Sequence, residues 1–236
     1  MTTSFSKRIK QVLPLPVKFF STEPVIAVLG GYLILLYSLL FSLLSGFDYI
    51  FKQTYNLSSG LTGSCFASIA VGSTVFTLLA PWIYSLARQK TEYIRGALLK
   101  PELRLWPAIL AAPLLPIPLF WLGWTNYPSI SIWSGLDACF VFGVVLIAIY
   151  VSSYEYILDS YGEHAPVALA SITMARYLIA GGILMAARPM NEGIGVHWTM
   201  TLLACVAAVL APTPFVFWKH GSRLRAKSRY AKGDED

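Results

Sequence analysis

Long uncharged stretches of apolar residues dominate this sequence. Residues 24–47 carry no charge between Glu23 and Asp48, and a helix of about 24 residues rises about 36 Å. That length is enough to cross the hydrocarbon core of a bilayer, which is about 30 Å thick. Five further apolar blocks follow, at residues 61–86, 105–124, 130–157, 165–187 and 198–218. The sequence therefore predicts an all-α integral membrane protein with six transmembrane helices.

The composition argues against a soluble fold. Hydrophobic residues make up 56% of the chain and charged residues 13%, whereas a soluble domain has about 25% charged residues. The three cysteines lie inside apolar blocks and the three histidines are scattered, so neither set has the spacing of a disulfide framework or a metal site. We expect no metal, no other cofactor and no catalytic residues.

The basic residues predict the topology. Of the 18 Lys and Arg residues, 15 lie in residues 1–23, 88–104 and 219–236, which share one side of the membrane if six spans cross it. Basic residues concentrate on the cytoplasmic side. We therefore predict a cytoplasmic basic segment at 1–23, a six-span bundle at 24–218 and a cytoplasmic basic tail at 219–236. The net charge of +6 then reflects topology, and we expect no nucleic-acid partner.

Four prolines interrupt the third apolar block, at positions 107, 113, 116 and 118. Proline lacks the backbone N–H that a helix interior uses and clashes with the preceding turn. The third span is therefore predicted to be a kinked helix that packs against its neighbours.

Three charged residues inside the apolar blocks are candidates for a functional site. A charge near the bilayer centre costs about 2.5 to 3.5 kcal/mol on insertion scales, so Arg176 must face protein or water. Asp137 is its expected ion-pair partner. Glu155 lies 18 residues beyond Asp137, which puts both on one helix face. Either these charges lie on a substrate or proton path, or Arg176 only fixes packing and Glu155 is a solvated residue at the membrane boundary.

Small and aromatic residues give weaker signals. Ser64, Ser68 and Gly72 recur every four residues and predict a close helix contact. Tyr37 is a further path candidate, because four aromatic residues could line a lipophilic cavity, although such residues more often face lipid or core: Tyr37, Phe41, Phe142 and Tyr177.

Several motifs resemble one family in order along the whole chain. They are TEP at 22–24, YNLSSGLTG at 55–63, PLLP at 113–116, YPS at 127–129, YILDSYG at 156–162, Arg176, and APTPFVFWKHG at 211–221. This set resembles the carboxy-terminal half of fungal major facilitator superfamily (MFS) transporters of the drug:proton antiporter type. Ser45 stands where that family carries an acidic residue. Ile172 and Tyr177 stand where it has asparagine and small residues.

The resemblance implies one transporter half, made of two inverted three-helix units in the plasma membrane. Its partners would be lipid, a small lipophilic substrate, and either a second copy or a complementary amino-terminal half. Proton-coupled transport or efflux is the implied function, without enzymatic activity. Two alternatives stay open: a structural or vestigial half without transport of its own, which fits Ser45, and a small membrane enzyme using Asp137, Glu155 and Arg176.

Overall fold

The computed structural model describes residues 19–95 and 104–226, with Ser228 and Tyr230; side chains are described at these positions except 86–95 and 186–188. This part of the chain is helical and contains no strand. Its α-helices are α1 (Pro24–Phe47), α2 (Ser59–Arg95), α3 (Trp106–Ala111), α4 (Pro116–Trp124), α5 (Ile132–Tyr161), α6 (Ala165–Leu210) and α7 (Thr213–Ala226).

Five segments are long and apolar enough to cross a membrane: Pro24–Gln53, Ser59–Ser85, Trp106–Trp124, Ile132–Met185 and Pro189–Ala226. The fourth segment contains α5 and the beginning of α6, which the short 3-10 helix Gly162–His164 separates. The chain is therefore an all-helical, multi-pass membrane protein, and the count of six spans stays a prediction.

The proline-rich third block is broken as its prolines predicted. It forms α3 and α4, with the 3-10 helix Ala112–Leu114 between them. Pro107 and Pro116 lie in the first turns of α3 and α4, where a helix leaves backbone N–H groups unused and proline costs nothing. The prediction of a kinked third span is confirmed.

The last part of the chain is broken twice, once within the predicted connection at 188–197 and once within the predicted sixth span. Helix α6 continues through Pro189, and its break comes at Gly195, which has φ 78° and ψ 166°. Such a positive φ is open to glycine because it has no Cβ. A second break follows Leu210, where a turn separates α6 from α7. The predicted block 198–218 is thus shared between two helices.

Two helix pairs form the centre of the bundle: α1 packs chiefly on α6, and α2 chiefly on α5. The approach of α2 to α5 is so close that a Cβ on Gly72 would stand 2.2 Å from the carbonyl oxygen of Phe140. A Cβ on Gly143 would stand 2.3 Å from the carbonyl oxygen of Ile69. The close contact predicted at Gly72 is confirmed.

Of the rest of the predicted small-residue stripe on α2, Ser64 faces away from this contact, whereas Ser68 stays beside Cys139 of α5. Ser64 is exposed and Ser68 is half-buried, and both hydroxyls donate to carbonyls of their own helix. The buried face of α2 instead has helical spacing through Cys65, Ile69, Gly72 and Phe76.

Candidate functional site: an arginine-tyrosine cluster

Arg176 lies among four tyrosine side chains. Its Nη1 donates a hydrogen bond of 2.7 Å to the Tyr154 hydroxyl. Its guanidinium carbon lies within cation-π distance of the other three ring centroids: Tyr37 at 4.5 Å, Tyr177 at 5.3 Å and Tyr150 at 5.8 Å. We call these five residues the arginine-tyrosine cluster.

Three helices build the cluster and fix its geometry. Tyr37 comes from α1, Tyr150 and Tyr154 from α5, and Arg176 and Tyr177 from α6. The buried Tyr150 hydroxyl donates a 2.7 Å hydrogen bond to the carbonyl of Leu33, which ties α5 to α1. Contacts within the cluster hold the other rings: Tyr37 meets Tyr177 edge-on at 5.7 Å, and Tyr150 meets Tyr154 edge-on at 5.9 Å.

The cluster carries a positive charge that no carboxylate balances within the described part of the chain. Among the described residues no carboxylate pairs with Arg176, unlike Arg104, which has two carboxylate partners. The Nε of Arg176 is buried without a hydrogen-bond partner. Each cation-π contact stabilises the guanidinium by about 0.5 to 2 kcal/mol, which offsets part of the cost of burying its charge. Arg176 is half-buried and Tyr177 is 58% exposed. The cluster therefore presents an unbalanced cation and aromatic faces on a surface of the bundle.

The predicted ion pair between Arg176 and Asp137 is wrong. The 3-10 helix Gly162–His164 joins α5 to α6, so heights follow from counting residues away from it. Arg176 lies about 18 Å along α6 and Tyr150 about 18 Å back along α5, whereas Asp137 lies about 37 Å back. The gap of about 19 Å is far beyond an arginine side chain. Asp137 is exposed, and its role as a path residue stays a prediction.

Glu155 lies one residue from the cluster but belongs to a different network. Its carboxylate pairs with Arg104 at 2.9 Å, and Arg104 also pairs with Asp159 at 2.8 Å. Burial lowers the pKa of Arg104, but hydrogen bonds and charges from the two carboxylates outweigh burial and raise the pKa above its ordinary value. Glu155 is about 30% exposed, so it is an ion-paired residue near the end of its helix.

Two residues of the cluster were missed from the sequence. Tyr150 and Tyr154 are four apart on one face of α5, and counting back from the turn at 162–164 would have placed them level with Arg176. Of the predicted aromatics, Phe41 packs on Tyr37 at 4.6 Å, whereas Phe142 is buried in the core.

Comparison with known proteins agrees with the motifs. The chain is 38% identical over 230 residues to the MFS-type transporter kojT of Aspergillus flavus and of Aspergillus oryzae, across 96% of this chain and 41% of the relative. This chain is a homologue of fungal MFS transporters. It is also 36% identical to the uncharacterized transporter mfs2 of Schizosaccharomyces pombe, across 91% of this chain and 39% of the relative. The efflux pump FUB11 of Gibberella moniliformis is 29% identical, across 97% of this chain and 38% of the pump.

The chain spans about two fifths of the length of these relatives. No family model matches it, and no solved structure does. The relatives bear out the predicted resemblance to a half-length fragment of fungal MFS transporters.

Proposed function

We propose that these residues form the carboxy-terminal six-span half of an MFS transporter, which moves small lipophilic compounds across the plasma membrane in exchange for protons. The proposal draws on the family of the relatives, on the fraction of their length that is covered, and on the order of the motifs. The relatives are named as transporters or efflux pumps, which favours a non-enzymatic role.

The helix contacts support two inverted three-helix units. The first unit would be α1, α2 and the α3-α4 pair; the second would be α5 and the two parts of α6 on either side of Gly195, with α7. In such a pair of units α1 corresponds to α5, and α2 corresponds to the first part of α6. The contact of α1 with the first part of α6 therefore corresponds to the contact of α5 with α2. Ile172 packs near Gly30, and Ile69 packs near Gly143, as this correspondence requires.

The arginine-tyrosine cluster carries the functional proposal. Arg176 lies near the middle of its predicted span, where a charge exposed to lipid is costly. The unbalanced charge of the cluster therefore suits a surface that the other half of the transporter covers. We propose that Arg176 and Tyr37 line the substrate path. The tyrosine faces would bind an aromatic or conjugated compound and the guanidinium its polar group. Asp137 and Glu155 stay proposed proton-path residues, and the Arg104 ion pair makes Glu155 the weaker of the two.

Replacing Arg176 by glutamine is expected to reduce transport at least tenfold. The substitution removes the charge while keeping an unbranched, polar side chain, and a tenfold loss corresponds to about 1.4 kcal/mol of binding or transition-state energy. The measurement is efflux of a panel of lipophilic fluorescent dyes from vesicles containing this chain together with an amino-terminal half. Expression and thermal unfolding of the variant are measured in parallel.

Arg223→Gln is the matched control, because Arg223 is exposed on α7 and away from the cluster. Tyr37→Phe should keep transport within about threefold, since it preserves the ring over the guanidinium, whereas Tyr37→Leu should reduce transport as Arg176→Gln does. Normal transport by Arg176→Gln at normal protein levels would contradict the proposed path.

Both ends of the chain are expected to face the cytoplasm, because that places 15 of the 18 basic residues on one side. An epitope after Asp236 should resist external protease in intact cells and be lost after permeabilisation. An epitope inserted at residues 56–58, in the predicted outer connection between α1 and α2, is the control and should be digested in intact cells. Digestion of the Asp236 epitope in intact cells would contradict the predicted topology and place the end of the chain outside the cell.

A further inference from the structure

A buried carboxylate, that of Glu23 at the beginning of α1, binds Ser228, which follows α7 in the chain. Glu23 is 1% exposed and immediately precedes α1. Its Oε2 accepts hydrogen bonds from the Ser228 hydroxyl and, at 3.2 Å, from the Tyr161 hydroxyl at the end of α5. Because Tyr161 is also buried, this contact joins the first span, the end of α5 and the carboxy-terminal tail at one end of the bundle.

Aromatic contacts reinforce the same junction two residues later. The Tyr230 ring stacks on Phe19 at 4.7 Å and packs against His164 at 5.3 Å. Phe19 precedes α1, and His164 lies in the turn between α5 and α6. We call the contacts of Glu23, Tyr161 and Ser228, with the stacking of Tyr230, the tail latch.

The sequence around Ser228 is strongly basic. It reads RLRAKSRYAK at residues 223–232, which places Arg225 three residues before the serine, Lys227 one before it and Arg229 one after it. Protein kinases choose substrates partly by such charge patterns, and an arginine three residues before the serine suits a kinase that reads basic residues. Arg225 is 3% exposed and the Ser228 hydroxyl is engaged in the tail latch. Ser228 therefore lies in a kinase-compatible sequence that a kinase reaches when the tail is undocked.

We propose that Ser228 is a phosphorylation site that opens the tail latch. A protein kinase would transfer the γ-phosphoryl group of ATP to the Ser228 Oγ: the new Oγ–P bond forms, the bond from the γ-phosphorus to the bridging oxygen breaks, ADP leaves, and the hydroxyl proton passes to the kinase's base. The proposal goes beyond transport itself and rests on the predicted cytoplasmic placement of the tail.

Phosphorylation would replace an attractive contact between Ser228 and Glu23 by a repulsive one. In the latch the Ser228 O–H donates to the Glu23 carboxylate. A phosphate removes that donor and puts a charge of about −1.5 to −2 beside a buried carboxylate, so like-charge repulsion and the cost of burying the phosphate both oppose docking. The tail would leave, and the beginning of α1 would lose its tie to the turn between α5 and α6.

The first experiment tests modification. The purified chain in detergent is incubated with ATP and the catalytic subunit of cAMP-dependent protein kinase, which recognises arginine three residues before a serine, and the sites are mapped by mass spectrometry. We expect phosphate on Ser228, and we expect Ser228→Ala to lose it. Ser222, an exposed serine on α7, is the matched control and should stay largely unmodified. Absence of phosphate from Ser228 overturns the assignment.

The second experiment tests release by hydrogen exchange of residues 19–23 and 161–164. Phosphorylated chain and Ser228→Asp should exchange about tenfold faster than the unmodified chain, and Ser228→Ala, which loses a hydrogen bond without gaining charge, about threefold faster. In a Glu23→Gln background, Ser228→Asp and Ser228→Ala should become alike, because the repelling carboxylate is gone. A phosphorylated chain with unchanged protection, or a difference that persists in Glu23→Gln, overturns the electrostatic release.

Discussion

Gly72→Ala should disrupt the packing of α2 on α5, although it adds a single methyl group. The added Cβ would lie 2.2 Å from the Phe140 carbonyl oxygen. Backbone cannot give way as a flexible side chain does, so the two helices must separate. We expect a loss of about 3 kcal/mol in the free energy of unfolding, at the upper end of ordinary overpacking, which is about 100-fold in the folding equilibrium. Thermal unfolding of the chain in mild detergent measures the loss.

Gly63→Ala is the matched control on the same helix. A Cβ on Gly63 meets no atom within 4 Å, and alanine is about 1 kcal/mol better than glycine in a helix interior. Gly63→Ala should therefore keep or raise the unfolding temperature, whereas Gly143→Ala, across the contact, should lower it as Gly72→Ala does. Equal unfolding temperatures for Gly63→Ala and Gly72→Ala would contradict the close approach.

These 236 residues, purified and reconstituted alone as a monomer, are expected to give no gradient-driven transport. Alternating access requires one bundle to rock against another around a site between them. The described helices form one bundle, and the arginine-tyrosine cluster lies at its surface with Tyr177 and Leu178 well exposed. Without an opposing wall, that surface and the charge of Arg176 would open onto lipid.

The measurement compares vesicles containing this chain alone with vesicles in which an amino-terminal half is co-reconstituted. Uptake of lipophilic dyes is driven by a proton gradient, and the oligomeric state is determined in the same detergent. We expect background uptake from the chain alone and gradient-dependent uptake from the pair, a difference of at least tenfold. Transport by a demonstrated monomer would refute the requirement for pairing; transport by a dimer would identify a second copy as the opposing wall.

The membrane class and the positions of the apolar helices up to the turn at 162–164 follow from the sequence because they depend on local properties. An apolar stretch of about 20 residues has few stable alternatives to a membrane helix. Pro107 and Pro116 lie in the first turns of their helices because the proline ring fixes a helical φ and the missing N–H is not needed there. The choice of Arg176 as a candidate site residue also follows from the sequence, because a charge in the middle of an apolar block is costly in a bilayer.

The partners within the bundle were decided by the tertiary structure, because they depend on the relative heights and rotations of helices. The turn at 162–164 sets Arg176 level with Tyr150 and Tyr154 and far from Asp137, and this register depends on where the connection between α5 and α6 folds. A rotation of α2 turns Ser64 outward and Cys65 inward, although both lie in the same apolar block. The contact that brings Ser228 to Glu23 across 205 residues likewise arises where separate segments meet.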